Sequence, residues 1–322
     1  MKKIIVIHHS ADFDGLFCRE IARKFLPEAE LIGWDFADKP LAIPDAGTIY
    51  VLDLPVDRVF GIQFAQPPKT ALIENDWLNR VIWIDHHKSS IDSHPQNIPG
   101  YRIDGVAACR LAWQWFTNLP PGKVPEVYGL PNKGEYFNRT VSEPYAVQLA
   151  GEYDVWDKRN PDADTFQFGL RSVTLTYDYW ANMLNITRHP DSVDTWSQLT
   201  CRALLCNGGL LQRYQQQTDK GVMGCSFLVT FEGLKFLALN TPRCNSLTFA
   251  AKDIPKTGHD ALMGFYWNGT AWNVSLYHAN HRKDLDLSKI AVQYGGGGHR
   301  GACGFRLLNL EAIGVILHGP KA

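Results

Sequence analysis

The chain has 322 residues, of which 45% are apolar, and a formal net charge of −1; this length predicts about two domains. Near-zero net charge argues against a large basic surface for polymeric nucleic acid or membranes. The longest apolar runs, such as Leu262–Trp267 and Ala312–Leu317, are far shorter than the ~20 residues of a membrane-spanning helix. Seven scattered cysteines argue against a disulfide scaffold and for a reducing compartment. We therefore expect a cytoplasmic protein with no membrane partner.

The first third of the chain alternates between short apolar runs and helical or irregular segments. A helix is predicted over Leu16–Leu26, ending before Pro27. The apolar runs lack polar alternation, which is typical of strands buried on both faces of a parallel sheet. The four predicted strands are Lys3–His8, Leu31–Phe36, Thr48–Asp53 and Val81–Asp85.

Further along the chain, two more helices and then a change of texture are predicted. The helices cover about Val106–Phe116 and Pro144–Tyr153, and a polar helical connector covers about 191–224. After it, strands alternate with turns, and Asn268-Gly269 is a strong hairpin signal. The predicted elements of this part are the strands Ser226–Thr230, Leu234–Asn240, Leu262–Trp267 and Trp272–His278 and the helix Ser288–Tyr294.

The sequence thus predicts an α/β protein with two domains joined by a helix. The first, residues 1–190, is expected to carry the parallel sheet, and residues 225–322 are expected to form a smaller α/β domain. The second part, from Ser226 onward, has a net charge of +4, whereas the rest has −5. Such a division suits a protein that holds cations in one domain and phosphates in the other.

Histidine and aspartate residues follow the ends of several predicted strands. They are His8 with Asp12 and Asp14, then Asp53, then Asp85-His86-His87, and, less clearly tied to a strand, Asp154. Ligands of open α/β sheets bind at the carboxyl ends of the strands, so these side chains are expected to converge. Carboxylate and imidazole donors together suit Mn²⁺, Fe²⁺ or Zn²⁺, and the lack of cysteine argues against structural zinc.

These motifs, in this order, resemble those of the DHH phosphoesterase superfamily. Val81–His87 is similar to the signature motif, and His8-His9-Ser10-Ala11-Asp12-Phe13-Asp14-Gly15 to the first motif. Val51-Leu52-Asp53 resembles the second motif and Gly151–Asp154 the fourth. Gly295–Phe305, which reads GGGGHRGACGF, is similar to the glycine-rich motif of the C-terminal domain associated with this family.

The resemblance implies a site for two manganese ions, with Mg²⁺ or Co²⁺ as substitutes. His8 and Asp12 would hold one ion and Asp14 the other, while Asp53 would bridge the two. His86 and Asp154 would complete the second site. Two alternatives stay open, because His9 could replace His8 and Asp157 could replace Asp154.

Other residues are assigned roles beside the metals. Asp85 would orient a ligating histidine by accepting its second N–H, and His87 would bind the scissile phosphate or protonate the leaving group. The backbone of Gly296, Gly297 and Gly298, with His299 and Arg300, would bind substrate phosphate. The alternative for the glycine run is a flexible turn between a helix and a strand.

Tryptophan residues are the candidates for contact with a nucleobase. Trp77 and Trp156 flank the motifs and are candidate stacking residues. Trp113, Trp115 and Phe116 lie on a predicted helix and are expected in the core.

Among family members, the short first motif and the GGGGH ending are most similar to the short-oligonucleotide nucleases. We therefore expect a manganese-dependent phosphodiesterase that hydrolyses short oligonucleotides to mononucleotides, an exonuclease-like oligoribonuclease whose partner is this nucleotide substrate. A homodimer is left open. The alternatives are a phosphatase of adenosine 3′,5′-bisphosphate, a phosphodiesterase of cyclic or linear dinucleotides and, outside enzymes, a nucleotide-binding sensor. A processive single-strand DNA exonuclease is disfavoured, because no additional nucleic-acid-binding domain is evident.

Overall fold

Two compact units, each with its own sheet and core, make up the chain in a computed structural model. The structure describes residues 3–64, 76–118, 143–184, 193–242 and 258–310. The first unit is Met1–Leu211 and the second is Gln212–Ala322. The boundaries predicted at residues 190 and 224 stay a prediction.

The sheet of the first unit has four parallel strands in the order β2-β1-β3-β4. Apolar side chains pack on both faces of this sheet, with Val6 and Tyr50 in one cluster and Ile5 and Ile49 in another. Burial on both faces explains why these strands are continuous apolar runs. The strands are β1 Ile4–His9, β2 Glu30–Trp34, β3 Thr48–Leu52 and β4 Val81–Ile84.

Helices cover the sheet of the first unit and bury aromatic side chains. Trp113, Trp115 and Phe116 are buried, which confirms the prediction that they belong to the core. Trp77 contacts the ring of Phe60, with ring centroids 5.1 Å apart. The helices are α1 Phe13–Phe25, α2 Val56–Phe60, α3 Lys88–Ser93, α4 Ala108–Asn118, α5 Tyr145–Asp154, α6 Pro161–Arg171 and α7 Tyr177–Met183, with a 3₁₀ turn at Asp76–Arg80.

A long helix, α8 Val193–Met223, starts in the first unit and ends in the second. Neither this helix nor any other in the described ranges is long and apolar enough to cross a membrane.

The second unit has a six-stranded mixed sheet in the order β5-β6-β7-β8-β10-β9. Neighbouring strands in this sheet are antiparallel, except that β6 and β7 are parallel. The predicted turn at Asn268-Gly269 is confirmed, since Asn268 N–H donates to the Ala271 carbonyl at 3.0 Å between strands β7 and β8. The elements are β5 Phe227–Phe231, β6 Leu234–Asn240, β7 Ala261–Trp267, β8 Trp272–His278, α9 Ser288–Gln293, β9 Gly297–His299 and β10 Ala302–Leu307.

The predicted fold class is therefore confirmed: a parallel-sheet unit precedes a smaller mixed α/β unit, and a helix runs from one to the other.

Candidate metal centre

Three polar residues follow neighbouring parallel strands where those strands end. His9 is the last residue of β1, Asp53 follows β3 and Asp85 follows β4. Because β1, β3 and β4 are adjacent and parallel, the three residues lie at one edge of the sheet. The Asp53 N–H donates to the Ile84 carbonyl at 2.9 Å, which ties the two strand ends together.

The backbone of Asp53 is strained. Its φ of 60° lies in the left-handed region, which few residues other than glycine adopt and which aspartate tolerates better than most. The residue is also only 1% exposed. A conformation that costs roughly 1–3 kcal/mol persists only where the surroundings hold it, and such residues concentrate at functional sites.

The loop after β1 brings Asp12 beside His9. Asp12 caps α1, and its Oδ1 accepts the Gly15 N–H at 3.0 Å. A Cβ atom at Gly15 would lie 2.2 Å from the His9 carbonyl oxygen, so only glycine allows the helix to start this close to the strand. Local packing therefore requires the glycine of the Asp-x-Asp-Gly motif.

Asp14 connects the same loop to a distant helix. Its Oδ1 accepts the Cys109 N–H at 2.8 Å and its Oδ2 accepts the Ala108 N–H at 2.9 Å. These N–H groups are at the start of α4, where they have no partner within the helix. The buried Asp14 carboxylate thus caps α4 and is fixed by it.

Two groups of ligand-type atoms meet at Asp53. In the first, His9 Nδ1 lies 3.1 Å from Asp12 Oδ2 and 3.5 Å from Asp53 Oδ2.

In the second group, His86 Nε2 lies 3.2 Å from Asp154 Oδ2, 3.4 Å from Asp53 Oδ1 and 3.6 Å from Asp14 Oδ2. Each oxygen of Asp53 therefore faces a different group. Three sets of side chains have the spacing of a metal site: His9 with Asp12 and Asp53, Asp14 with His86 and Asp154, and Asp53 with His86 and His87.

The donor atoms of these groups fit divalent cations. Both ring nitrogens of His9, both oxygens of Asp53 and Oδ2 of Asp154 are buried and make no hydrogen bond to any described residue. Buried polar atoms normally have partners, because losing water without replacement costs about 1–3 kcal/mol. Mixed carboxylate and imidazole donors suit Mn²⁺, Fe²⁺ or Zn²⁺.

The electrostatics of the cluster also favour a cation. Burial, together with the charges of Asp53 and Asp154, raises the pKa of Asp14 well above its usual value. Burial lowers the pKa of His9, but the close, negatively charged carboxylates of Asp12 and Asp53 outweigh it and raise the pKa to about 11. Carboxylates are thus crowded together in this cluster and repel one another.

The structure places His9, and not His8, in the cluster. The side chains of consecutive strand residues point to opposite faces, and the His8 Nδ1 donates to the His9 carbonyl at 2.8 Å. The His8 ring lies beside Gly33 on β2, and burial lowers its pKa to about 4. His8 joins none of the ligand groups found among the described residues.

Asp154 and Asp157 have different partners. Asp154 Oδ2 faces His86, as described above, whereas Asp157 accepts hydrogen bonds from the Arg159 guanidinium at the exposed end of the same segment. Of the two candidates, only Asp154 belongs to the cluster.

Asp85 orients His87 instead of the His86 ring. Its Oδ1 accepts the His87 Nδ1–H and the His86 backbone N–H, both at 2.7 Å. Burial lowers the pKa of His87, but the charge and hydrogen bond of Asp85 raise it to about 9. Asp85 thus favours the protonated form of the His87 ring, and the His87 side chain is 24% exposed. His87 is the better placed of these residues to donate a proton.

Asp35 lies beside the cluster but was not among the site residues predicted from the sequence. Its Oδ1 lies 3.4 Å from His9 Nε2, on the side of the ring opposite Asp12 and Asp53. The predicted strand Leu31–Phe36 contained this residue, but β2 ends at Trp34. The signal was available, because a carboxylate that follows a parallel strand points to the same sheet edge.

The glycine run of the second unit is shaped largely by packing. A Cβ at Gly296 would lie 2.0 Å from the Gly304 carbonyl oxygen, and one at Gly298 would lie 2.7 Å from Cys303 Cα. Both glycines are required where β9 pairs with β10. At Gly297, by contrast, a Cβ would meet no atom within 4 Å, and the residue is exposed.

His299 and Arg300 follow on the exposed side of this hairpin. The Arg300 guanidinium donates to the Asp284 carbonyl at 2.9 Å, and its own carbonyl accepts the Leu287 N–H at 3.0 Å. The segment thus pairs with β10 as a hairpin within its unit. Its role in phosphate binding stays a prediction.

Comparison with known proteins shows the fold. No protein-family model matches the sequence, and no curated protein does. Among solved structures, the DHH domain of a protein described as belonging to a family of ribosomal proteins has a TM-score of 0.51 at 12% identity, over 97% of this chain and 86% of that one. The chain therefore has the fold of DHH-domain proteins.

Two other similar structures have TM-scores below 0.5 and add nothing to the fold assignment. A pGpG-specific phosphodiesterase from Vibrio cholerae has a TM-score of 0.47 at 13% identity, over 97% of this chain and 95% of that one. RecJ from Thermus thermophilus, solved with Mn²⁺, has a TM-score of 0.45 at 14% identity, over 97% of this chain and 50% of that one.

Proposed function

We propose that this protein is a metal-dependent phosphodiesterase that hydrolyses short oligonucleotides to mononucleotides. The observation that carries the proposal is Asp53, whose two oxygens each face a separate group of buried aspartate and histidine atoms. A carboxylate shared in this way suits a pair of adjacent divalent cations. When bound, such a pair polarises the phosphoryl oxygens and makes a water molecule more acidic.

The ligands would be divided between two positions. His9 and Asp12 would hold one cation, Asp14, His86 and Asp154 the other, and Asp53 would be shared. Manganese suits this donor set, and Mg²⁺ or Co²⁺ would be substitutes. Asp35 would orient His9, because a carboxylate near the second nitrogen of a ligating histidine fixes its ring.

His87 would act on the substrate and not on the metals. Asp85 holds its Nδ1 and stabilises the charged ring, so the opposite nitrogen would donate to a phosphoryl oxygen or to the leaving group. Asp85 itself would be a positioning residue.

The second unit would contribute substrate contacts through Gly296–Gly298, His299 and Arg300. Backbone N–H groups, an exposed imidazole and a guanidinium are donors for phosphate oxygens. The near-zero net charge of the chain favours a short substrate over a long strand, because long strands are held by many phosphate contacts.

The test is hydrolysis of a 5′-phosphorylated RNA dinucleotide by the purified chain with Mn²⁺, with products separated by chromatography. Adenosine 3′,5′-bisphosphate, a cyclic dinucleotide and a longer single strand are the parallel substrates. We expect rapid release of mononucleotides from the linear dinucleotide and slower attack on the others. Orthophosphate from the bisphosphate alone would support the phosphatase instead, and fastest cleavage of the cyclic dinucleotide would identify that substrate class.

A matched pair of variants separates chemistry from folding in this assay. His86→Gln removes an imidazole from the cluster, and we expect no detectable turnover. His94→Gln removes another buried imidazole of the same unit, one that pairs with Asp57 outside the cluster. Turnover that survives in His86→Gln, or is lost equally in His94→Gln, would contradict the assignment.

A further inference from the structure

A tight turn after β2 presents an aromatic ring beside the metal centre. Trp34 ends the strand, is buried, and donates its indole N–H to the Lys39 carbonyl at 3.1 Å. The Asp38 N–H donates to the Asp35 carbonyl at 2.8 Å, and the Asp35 N–H donates to Asp38 Oδ2 at 2.9 Å. The Phe36 N–H donates to Asp35 Oδ1 at 2.7 Å. These hydrogen bonds fix the backbone of Phe36.

The Phe36 ring is held in place on one side and open to solvent on the other. Its centroid lies 5.5 Å from that of the His9 ring and 5.7 Å from that of Trp34, both in edge-to-face geometry. The residue is nevertheless 51% exposed. It belongs to neither of the apolar clusters that cover the sheet in the described part of the first unit. The core of the unit therefore does not account for a phenylalanine here.

The contact with His9 places this ring next to where phosphate would bind. His9 is in the group with Asp12 and Asp53, and Asp35, the neighbour of Phe36, faces the other side of the same imidazole. Half of the Phe36 surface is exposed, so there is room beside this ring for the rest of a ligand whose phosphate lies at the cations. In a nucleotide, one pentose separates the phosphate from a planar base.

We propose that Phe36 forms the wall of a nucleobase subsite, on which the base of a bound nucleotide stacks while its phosphate is held at the metal centre. The proposal rests on the proposed function only in placing phosphate at this centre. Aromatic side chains stack on any base, so the subsite would bind nucleotides without strong preference for sequence. A phosphate ester that lacks a planar ring would gain nothing from it.

Trp156, the stacking residue predicted from the sequence, has a different environment. Lys158 Nζ lies 5.1 Å from the Trp156 ring centroid, so a cation already covers its ring. Phe36 has no such cation among the contacts of the described residues.

The test is a binding experiment that needs no turnover. The Mn²⁺-loaded chain is titrated by calorimetry with AMP and with ribose 5-phosphate, which lacks the base. We expect AMP to bind about tenfold or more tightly than ribose 5-phosphate, and Phe36→Ala to remove that difference without changing the affinity for ribose 5-phosphate. Phe36→Trp should keep the difference, and Tyr214→Ala, which removes another exposed ring, should leave both affinities unchanged.

Three results would overturn the subsite. The first is equal affinity of the unaltered chain for AMP and ribose 5-phosphate. The second is an unchanged affinity for AMP in Phe36→Ala. The third is an equal loss of affinity for both ligands in Phe36→Ala. The last would mean that Phe36 only supports His9. A base-dependent difference without hydrolysis of any dinucleotide would refute the proposed function and leave the subsite standing.

Discussion

The candidate metal centre of the first unit and the glycine hairpin of the second differ in how far the fold explains their residues. At the candidate centre, buried atoms of His9, Asp53 and Asp154 have no hydrogen-bond partner among the described residues, and Asp53 adopts a left-handed backbone. In the hairpin, Gly296 and Gly298 are each required by a close backbone contact within the unit.

A motif is stronger evidence of a functional site when the fold does not require its residues. Folding alone disfavours the aspartate and histidine cluster, since it buries charges that repel one another. Folding alone favours most of the glycine run. Within that run, a Cβ would meet no atom within 4 Å at Gly295 or at Gly297. Gly295 has a left-handed backbone with a φ of 75°, so Gly297 is the glycine that neither packing nor a positive φ explains.

The largest effect is expected for Asp53→Asn. This change keeps the shape of the shared residue and removes its charge, so we expect loss of both cations and no detectable hydrolysis of the dinucleotide. Calorimetric titration with Mn²⁺ and the dinucleotide assay are the measurements. Asp57→Asn, which alters the partner of His94 instead, is the matched control. Normal activity in Asp53→Asn would contradict the proposal that Asp53 is shared by two cations.

The next effect distinguishes two adjacent histidines. His9→Gln should weaken Mn²⁺ binding by at least about tenfold, since even residues outside the ligand shell contribute that much. His8→Gln should leave the Mn²⁺ affinity unchanged, because the His8 ring faces Gly33. A weaker affinity in His8→Gln alone would reverse the assignment.

Metal removal should lower the stability of the first unit. A cation at a hundred times its Kd stabilises the folded state by about 2.7 kcal/mol, which corresponds to a rise in Tm of roughly 5–10 °C. Thermal unfolding followed by circular dichroism, with Mn²⁺ or with EDTA, measures this shift. The shift should be absent in Asp53→Asn, and a chelator-insensitive Tm of the unaltered chain would argue against the site.

The smallest effects are expected for two glycine substitutions in the hairpin. Gly296→Ala should destabilise the second unit by about 1–3 kcal/mol, because the new methyl group meets the Gly304 carbonyl. Gly297→Ala should leave stability unchanged and raise KM for the dinucleotide, if this backbone approaches phosphate. Chemical denaturation and steady-state kinetics separate the two. An unchanged KM in Gly297→Ala would leave the hairpin with a structural role alone.

Much of this fold follows from local patterns, whereas the finer features of the site depend on distant contacts. Continuous apolar runs predicted the parallel strands. Because ligands of such sheets bind at the carboxyl ends of the strands, the sequence also predicted that His86, Asp53 and Asp14 lie close together, as they do. Alternation separated His8 from His9 but could not say which face held the cluster, since a shift of one residue exchanges the faces.

Other features had no local signal. Phe36 was placed in a strand that ends two residues earlier, at Trp34, and strand ends are the least certain part of a pattern. The packing that requires Gly296 comes from Gly304, across a pair of strands that the pattern did not contain.

Asp14 connects the start of α4 to the candidate metal centre. The amides of Ala108 and Cys109 donate to the same carboxylate that faces His86, although they lie more than ninety residues further along the chain. A cation held by Asp14 would draw electron density from this carboxylate and so weaken the two hydrogen bonds. We therefore expect Mn²⁺ to speed the exchange of the Ala108 and Cys109 amides, which hydrogen–deuterium exchange measures without substrate or turnover.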